Sequence, residues 1–143
     1  MSITSANAQL SLTQAILFPT PFLLAGFAVD DIYDVAQRQI VEELMGADGT
    51  LSFGFIYTPT VMNITLQADS LNSMAFFDSI ALQQAAARDV YPLNGVIRLP
   101  AISTMWNMSN GALRNYAPAP DAKRTLTPRR FTITWNTIFP APM

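Results

Sequence analysis

Thr60-Val61-Met62-Asn63-Ile64-Thr65-Leu66-Gln67 alternates without a break, placing Met62, Ile64 and Leu66 on one side and Asn63, Thr65 and Gln67 on the other. Successive side chains of a strand point to opposite faces, so this stretch predicts a strand with one face buried. Downstream the period changes. From Asn72 to Val90 there is no Gly or Pro, Ala and Gln are frequent, and Asp69 or Ser70 stands ready to cap. Met74, Phe77 and Ala81 form a stripe that Phe76 and Ile80 widen, which predicts a helix lying on a sheet, closed by Pro92 and Gly95.

The strand pattern then resumes. Gly95 to Ile102 and Met105 to Leu113 read as strands, and Phe131 to Thr137 sets Phe131, Ile133 and Trp135 opposite Thr132, Thr134 and Asn136. Between the last two lies a long loop, Tyr116 to Arg130, holding Pro118, Pro120 and Pro128. Long loops in compact chains are usually functional. Upstream, Gln9 to Ile16 predicts a strand with Leu10, Leu12 and Ile16 on the buried side, stopped by Pro19 and Pro21, and Phe22 to Val29 predicts a second. Val35 to Met45 is rich in helix formers, but Gly46-Ala47-Asp48-Gly49 behind it reads as a turn into Leu51 to Tyr57, and the reading favoured is a long hairpin. The expected fold is a single mainly β domain, sandwich or barrel-like, with one packed helix.

Composition narrows the function. Of 143 residues 50% are hydrophobic and 13% charged, where soluble proteins average about 25% charged. So little charge cannot cover a whole surface. A membrane span needs roughly 18 consecutive apolar residues, and the longest apolar run, Ile16 to Ala28, is broken by Pro19, Thr20 and Pro21. The remaining outlet for apolar surface is burial against other subunits. Met1-Ser2-Ile3-Thr4-Ser5 lacks the basic and apolar regions of a signal peptide, so secretion by that route is not expected.

Histidine and cysteine are both absent. Imidazole bases, Ser-His-Asp and Cys-His nucleophiles, and His- or Cys-ligated metals are therefore excluded. Carboxylate chemistry would need two acids facing one cleft. Adjacent acids such as Asp30-Asp31 suit a turn instead, and Glu42-Glu43 would point to opposite faces of a strand. No calcium loop or Gly-rich phosphate loop occurs, and no catalytic residue, metal or cofactor is expected.

Charge is unevenly placed. Met1 to Leu93 holds nine acids and two bases, and Asn94 to Met143 one acid and six bases, so the two parts carry about −7 and +5. The acids cluster at Asp30, Asp31, Asp34, Glu42, Glu43 and Asp48, and the bases at Arg114, Lys123, Arg124, Arg129 and Arg130. The two regions could touch within one chain. Alternatively the acids Asp30, Asp31 and Asp34 of one subunit meet the basic loop of the next, as in head-to-tail rings and filaments. Nucleic-acid binding ranks below both, because the loop lacks interleaved aromatics and the net charge is −2.

The order Gly26-Phe27-Ala28-Val29-Asp30-Asp31, Met45-Gly46-Ala47-Asp48-Gly49 and Ile64-Thr65-Leu66-Gln67-Ala68-Asp69-Ser70, followed by a helix, resembles the tail tube (inner tube) proteins of contractile-tailed bacteriophages. Pro120-Asp121-Ala122-Lys123-Arg124-Thr125-Leu126 and Pro128 to Trp135 are similar to the same family. The resemblance implies a non-enzymatic virion subunit, assembled in the host cytoplasm into hexameric rings around an inner barrel. Its partners would be further copies of itself, the tail sheath, baseplate or terminator proteins, and DNA in transit. The hairpin from Val35 to Tyr57 would line the channel, with Glu42, Glu43 and Asp48 repelling phosphate. A head-to-tail connector, a baseplate tube-initiator and a small-ligand carrier with a β-barrel pocket are the other readings.

Overall fold

The computed structural model describes residues 8–27 and 32–142. Along the chain run β1 (Gln9–Gln14), β2 (Phe18–Leu23), β3 (Tyr33–Val35), β4 (Val41–Met45), β5 (Leu51–Phe55), β6 (Thr60–Leu66), α1 (Leu71–Ala87), β7 (Leu93–Leu99), β8 (Thr104–Tyr116) and β9 (Arg129–Pro142), with a 3-10 turn at Pro100–Ile102. Seven of these strands form one antiparallel sheet in the order β2-β1-β7-β8-β9-β6-β3, and β4 and β5 form a separate two-stranded sheet. The chain is thus mainly β with one helix, as the periodicity predicts.

The alternating stretch sits where its pattern demands. In β6, Thr60, Met62, Ile64 and Leu66 are buried, and each lies opposite a residue of β9 on the same face: Trp135, Ile133, Phe131 and Arg129. Trp135 lies flat over Gly111 of β8, where an added Cβ would stand 2.3 Å from the indole ring. Glycine is therefore required there by close approach. Phe77 of α1 stacks on Phe131 with ring centres 4.4 Å apart. Phe76 meets Phe18 at 4.6 Å and Phe22 at 5.1 Å, fastening β2 to the other side of the helix. Fully burying a ring, as at Phe76, Phe77 and Phe131, contributes about 1.5–3 kcal/mol.

The sheet coils on itself. Tyr33 and Val35 of edge strand β3 line the same small apolar pocket as Ile97 and Leu99 of β7, four strands away, together with Trp106 and Ile138. Its concave face holds the core, and α1 packs against it.

Several expected boundaries move, each for a local reason. Pro19 and Pro21 do not stop a strand but lie inside β2. β2 is an edge strand, and Leu24 N donates to Leu10 O at 2.9 Å, so in the regular part of the pair even-numbered N–H groups face β1 and Pro21 falls on the open side, while Pro19 lies where the register shifts between the Phe22 and Phe18 pairings. Of the strand expected over 22–29, Phe22 and Leu23 end β2, Gly26 takes φ +75°, and Ala28 and Val29 lie outside the described residues. Ile16 is 72% exposed because β1 ends at Gln14, whose buried side chain accepts from Ile16 N at 2.8 Å and Leu17 N at 2.7 Å. Ser70 does not cap α1 with its side chain; its hydroxyl donates to Ala25 O at 2.6 Å. The helix ends before Pro92, at Arg88, whose φ is +54°.

Candidate assembly surface

The hairpin predicted over Val35 to Tyr57 exists, with a shorter paired region, β4 and β5. Its turn is fixed locally. Gly46 N donates to Thr50 O at 2.8 Å, Gly49 N to Gly46 O at 3.0 Å, and Asp48 Oδ1 accepts from Thr50 N at 3.0 Å. Gly49 takes φ +84°, a conformation that costs glycine little. The Thr50 amide holds the Asp48 carboxyl below the usual carboxylate range, although the group is fully exposed.

Every residue of β4 and β5 is exposed. Phe53 is 67% exposed, Phe55 63%, Met45 61% and Leu44 74%. Beyond the strands Tyr57, 92% exposed, meets Phe55 edge-on at 4.8 Å. A groove continues this surface to the main sheet, lined by Phe55, Tyr57, Pro59, Ile138 and Phe139 with Arg38 at its rim. A two-stranded hairpin alone is marginal in water, and a contiguous apolar surface of this kind marks an interaction site. Glu42 and Glu43 stand on this hairpin and Asp48 at its tip.

The basic residues divide. Arg129 is a correction to the expected interface set: it is 5% exposed, inside the chain. Its guanidinium donates to Asp78 of α1 at 2.7 and 3.2 Å and to Ala117 O at 2.9 Å, and lies 5.1 Å from the Phe131 ring. It ties helix, loop and sheet together. The signal was in the sequence, since Arg129 shares the parity of Phe131, Ile133 and Trp135. Arg130, of opposite parity, is exposed and reaches Asp34 at 3.5 Å, both side chains more than 60% accessible. Such a surface pair contributes little. The touching of acidic and basic regions within one chain is thus realised at Asp34 and Arg130. Arg114, Lys123 and Arg124 are exposed and form no ion pair among the described residues. Asp30 and Asp31 lie outside the described residues.

Among the described residues no group of three or more acids, His or Cys could hold a metal. No helix among the described residues is long and apolar enough to cross a membrane.

Comparison with known proteins extends these findings. Among curated proteins no sequence matches significantly. Among solved structures, a chain of the extended sheath-tube complex of an extracellular contractile injection system, PVC, superposes with a TM-score of 0.63 at 14% identity, covering 99% of this chain and 93% of that one. A chain of the anti-feeding prophage tube-terminating cap gives 0.59 at 12% identity, covering 100% and 93%. One of that particle's baseplate gives 0.57 at 11%, covering 99% and 97%. At these identities the likeness is one of fold. The profile of a family of tail proteins, described as "Tail fiber protein gp32", matches residues 1–139, and the chain therefore belongs to that family.

Proposed function

We propose that this chain is a non-enzymatic structural subunit that closes into hexameric rings, stacked as the inner tube of a contractile tail and serving as a conduit for DNA. The observation that carries the reading is the β4–β5 hairpin, a paired ribbon whose apolar side chains stay exposed among the described residues. Side by side in a ring, such hairpins would continue one another into a closed barrel, burying their edges and apolar surface together. Membership in a tail-protein family and a fold shared with a chain of a sheath-tube complex support this, and the 6-fold symmetry of the similar baseplate supports six subunits per ring. Sheath, baseplate and terminator proteins are then the partners outside the ring, and the virion tail is its location after assembly in the host cytoplasm.

The same fold in baseplate and cap chains favours a second reading, a ring that starts or ends the tube. The carrier reading is weaker: a β-barrel carrier holds its ligand inside the barrel, and here the concave face is filled by core side chains. Electron microscopy of the purified chain separates the three. Stacked tubes support the tube subunit, isolated rings the connector or initiator, and dispersed monomers at high concentration contradict both.

A further inference from the structure

Directly opposed residues of an antiparallel pair share a face. In the hairpin Val41 faces Phe55, Glu43 faces Phe53 and Met45 faces Leu51 on one side, while Glu42 faces Gly54 and Leu44 faces Ser52 on the other. The first side is apolar except for Glu43. The second carries one large apolar residue, a hydroxyl, a glycine and Glu42. The two acids, adjacent in sequence, thus stand on chemically opposite surfaces.

We infer that the Glu43 side is the buried seam between copies of this chain, where Glu43 pairs with a cation of a second copy, and that the Glu42 side alone faces the open channel. This rests on the ring reading above. In a barrel of hairpins one side faces the channel and the other the surrounding protein, and the side with Val41, Met45, Leu51, Phe53 and Phe55 is the one that gains by leaving water. Glu43 goes with it. A carboxylate taken out of water there needs a partner. The chain itself supplies suitable groups: Arg98 and Arg114, both exposed on strands of the main sheet, make no ion pair among the described residues. That complementarity selects a second copy as the occupant.

The chain contains no cysteine, so single introduced thiols report accessibility without background. Glu42→Cys and Glu43→Cys should react equally with a small maleimide in the free chain. After assembly Glu43→Cys should slow at least about tenfold and Glu42→Cys less than about threefold. Should either variant fail to assemble, Met45→Cys reports the apolar side and Ser52→Cys the other. Protection of the Glu42 side, or equal rates on both sides, overturns the inference. The pairing is tested by Glu43→Arg, expected to raise the concentration needed for assembly roughly a hundredfold, the scale of an unpaired buried charge. Arg98→Glu or Arg114→Glu in the same chain should restore it, and rescue by neither overturns the pairing. A parent chain that forms no rings fails the ring reading itself, a result distinct from rings whose accessible side is wrong.

Discussion

β6 and β5 carry the same kind of pattern and meet opposite fates. In β6, Met62, Ile64 and Leu66 alternate with polar residues and are all 0% exposed; in β5, Leu51, Phe53 and Phe55 alternate with Ser52 and Gly54 and are 41%, 67% and 63% exposed. Alternation states that a strand has a face to bury. It does not state against what. The β6 face joins that of its neighbour β9 in the core beneath α1 and the coiled sheet, whereas the β5 face is left open by the described residues of its own chain, which is the physical content of the proposal that it is completed by another subunit.

Truncation of one phenylalanine in each region should expose this difference most strongly. Phe77→Ala removes a fully buried ring stacked on Phe131 and should lower stability by about 3–5 kcal/mol, read from urea or thermal unfolding. Phe53→Ala should leave the free chain's unfolding within about 0.5 kcal/mol of the parent while preventing ring formation. Equal destabilisation by both would mean that the hairpin is packed in the free chain after all.

Arg129 and Arg130 sharpen the comparison within two adjacent residues. Arg129→Met should cost about 2 kcal/mol, below the 3–5 of a fully buried pair because Asp78 is 38% exposed and water can resolvate it. Arg130→Ala should be indistinguishable from the parent in stability. Reversing both to Glu would unfold the chain by placing a carboxylate beside Asp78, so assembly is better tested through Arg114, Lys123 and Arg124. A midpoint unchanged by Arg129→Met would remove Arg129 from the body of the fold.

The smallest effect belongs to the hairpin turn. Its folded carboxyl, Asp48, has a lowered pKa because it accepts the Thr50 N–H. The turn contact is thus fully present above the unfolded carboxylate pKa and is lost as pH falls through the folded value. Asp48→Asn should abolish this acid-range loosening of the turn, followed by the Thr50 amide shift in an NMR titration.

The strands from β6 to β9 and the helix were legible because each has a side that its own chain buries, and periodicity reports burial directly. Phe131, Ile133 and Trp135 fell where their parity put them. Residues of mixed signal were less legible. Pro19 and Pro21 read as breakers because edge position is a property of the whole sheet, and Ile16 read as core because a buried Gln14 side chain closing a turn leaves no apolar mark. At the candidate surface the hairpin and its turn were readable from Gly46 to Gly49. Arg129 was less legible when grouped with Arg130, because in a strand charge belongs to one face and not to a segment, and Arg129 shares the buried face of Phe131.

The central claim, that assembly completes the hairpin, is tested most directly by amide hydrogen exchange of residues 41–55 in the free chain and in the assembled particle. Exchange in the free chain should be fast across β4 and β5 compared with β6 and β9. On assembly it should slow by at least about a hundredfold in β4 and β5, with little change in β6. Rings or tubes in which residues 41–55 exchange as fast as in the free chain would contradict the account.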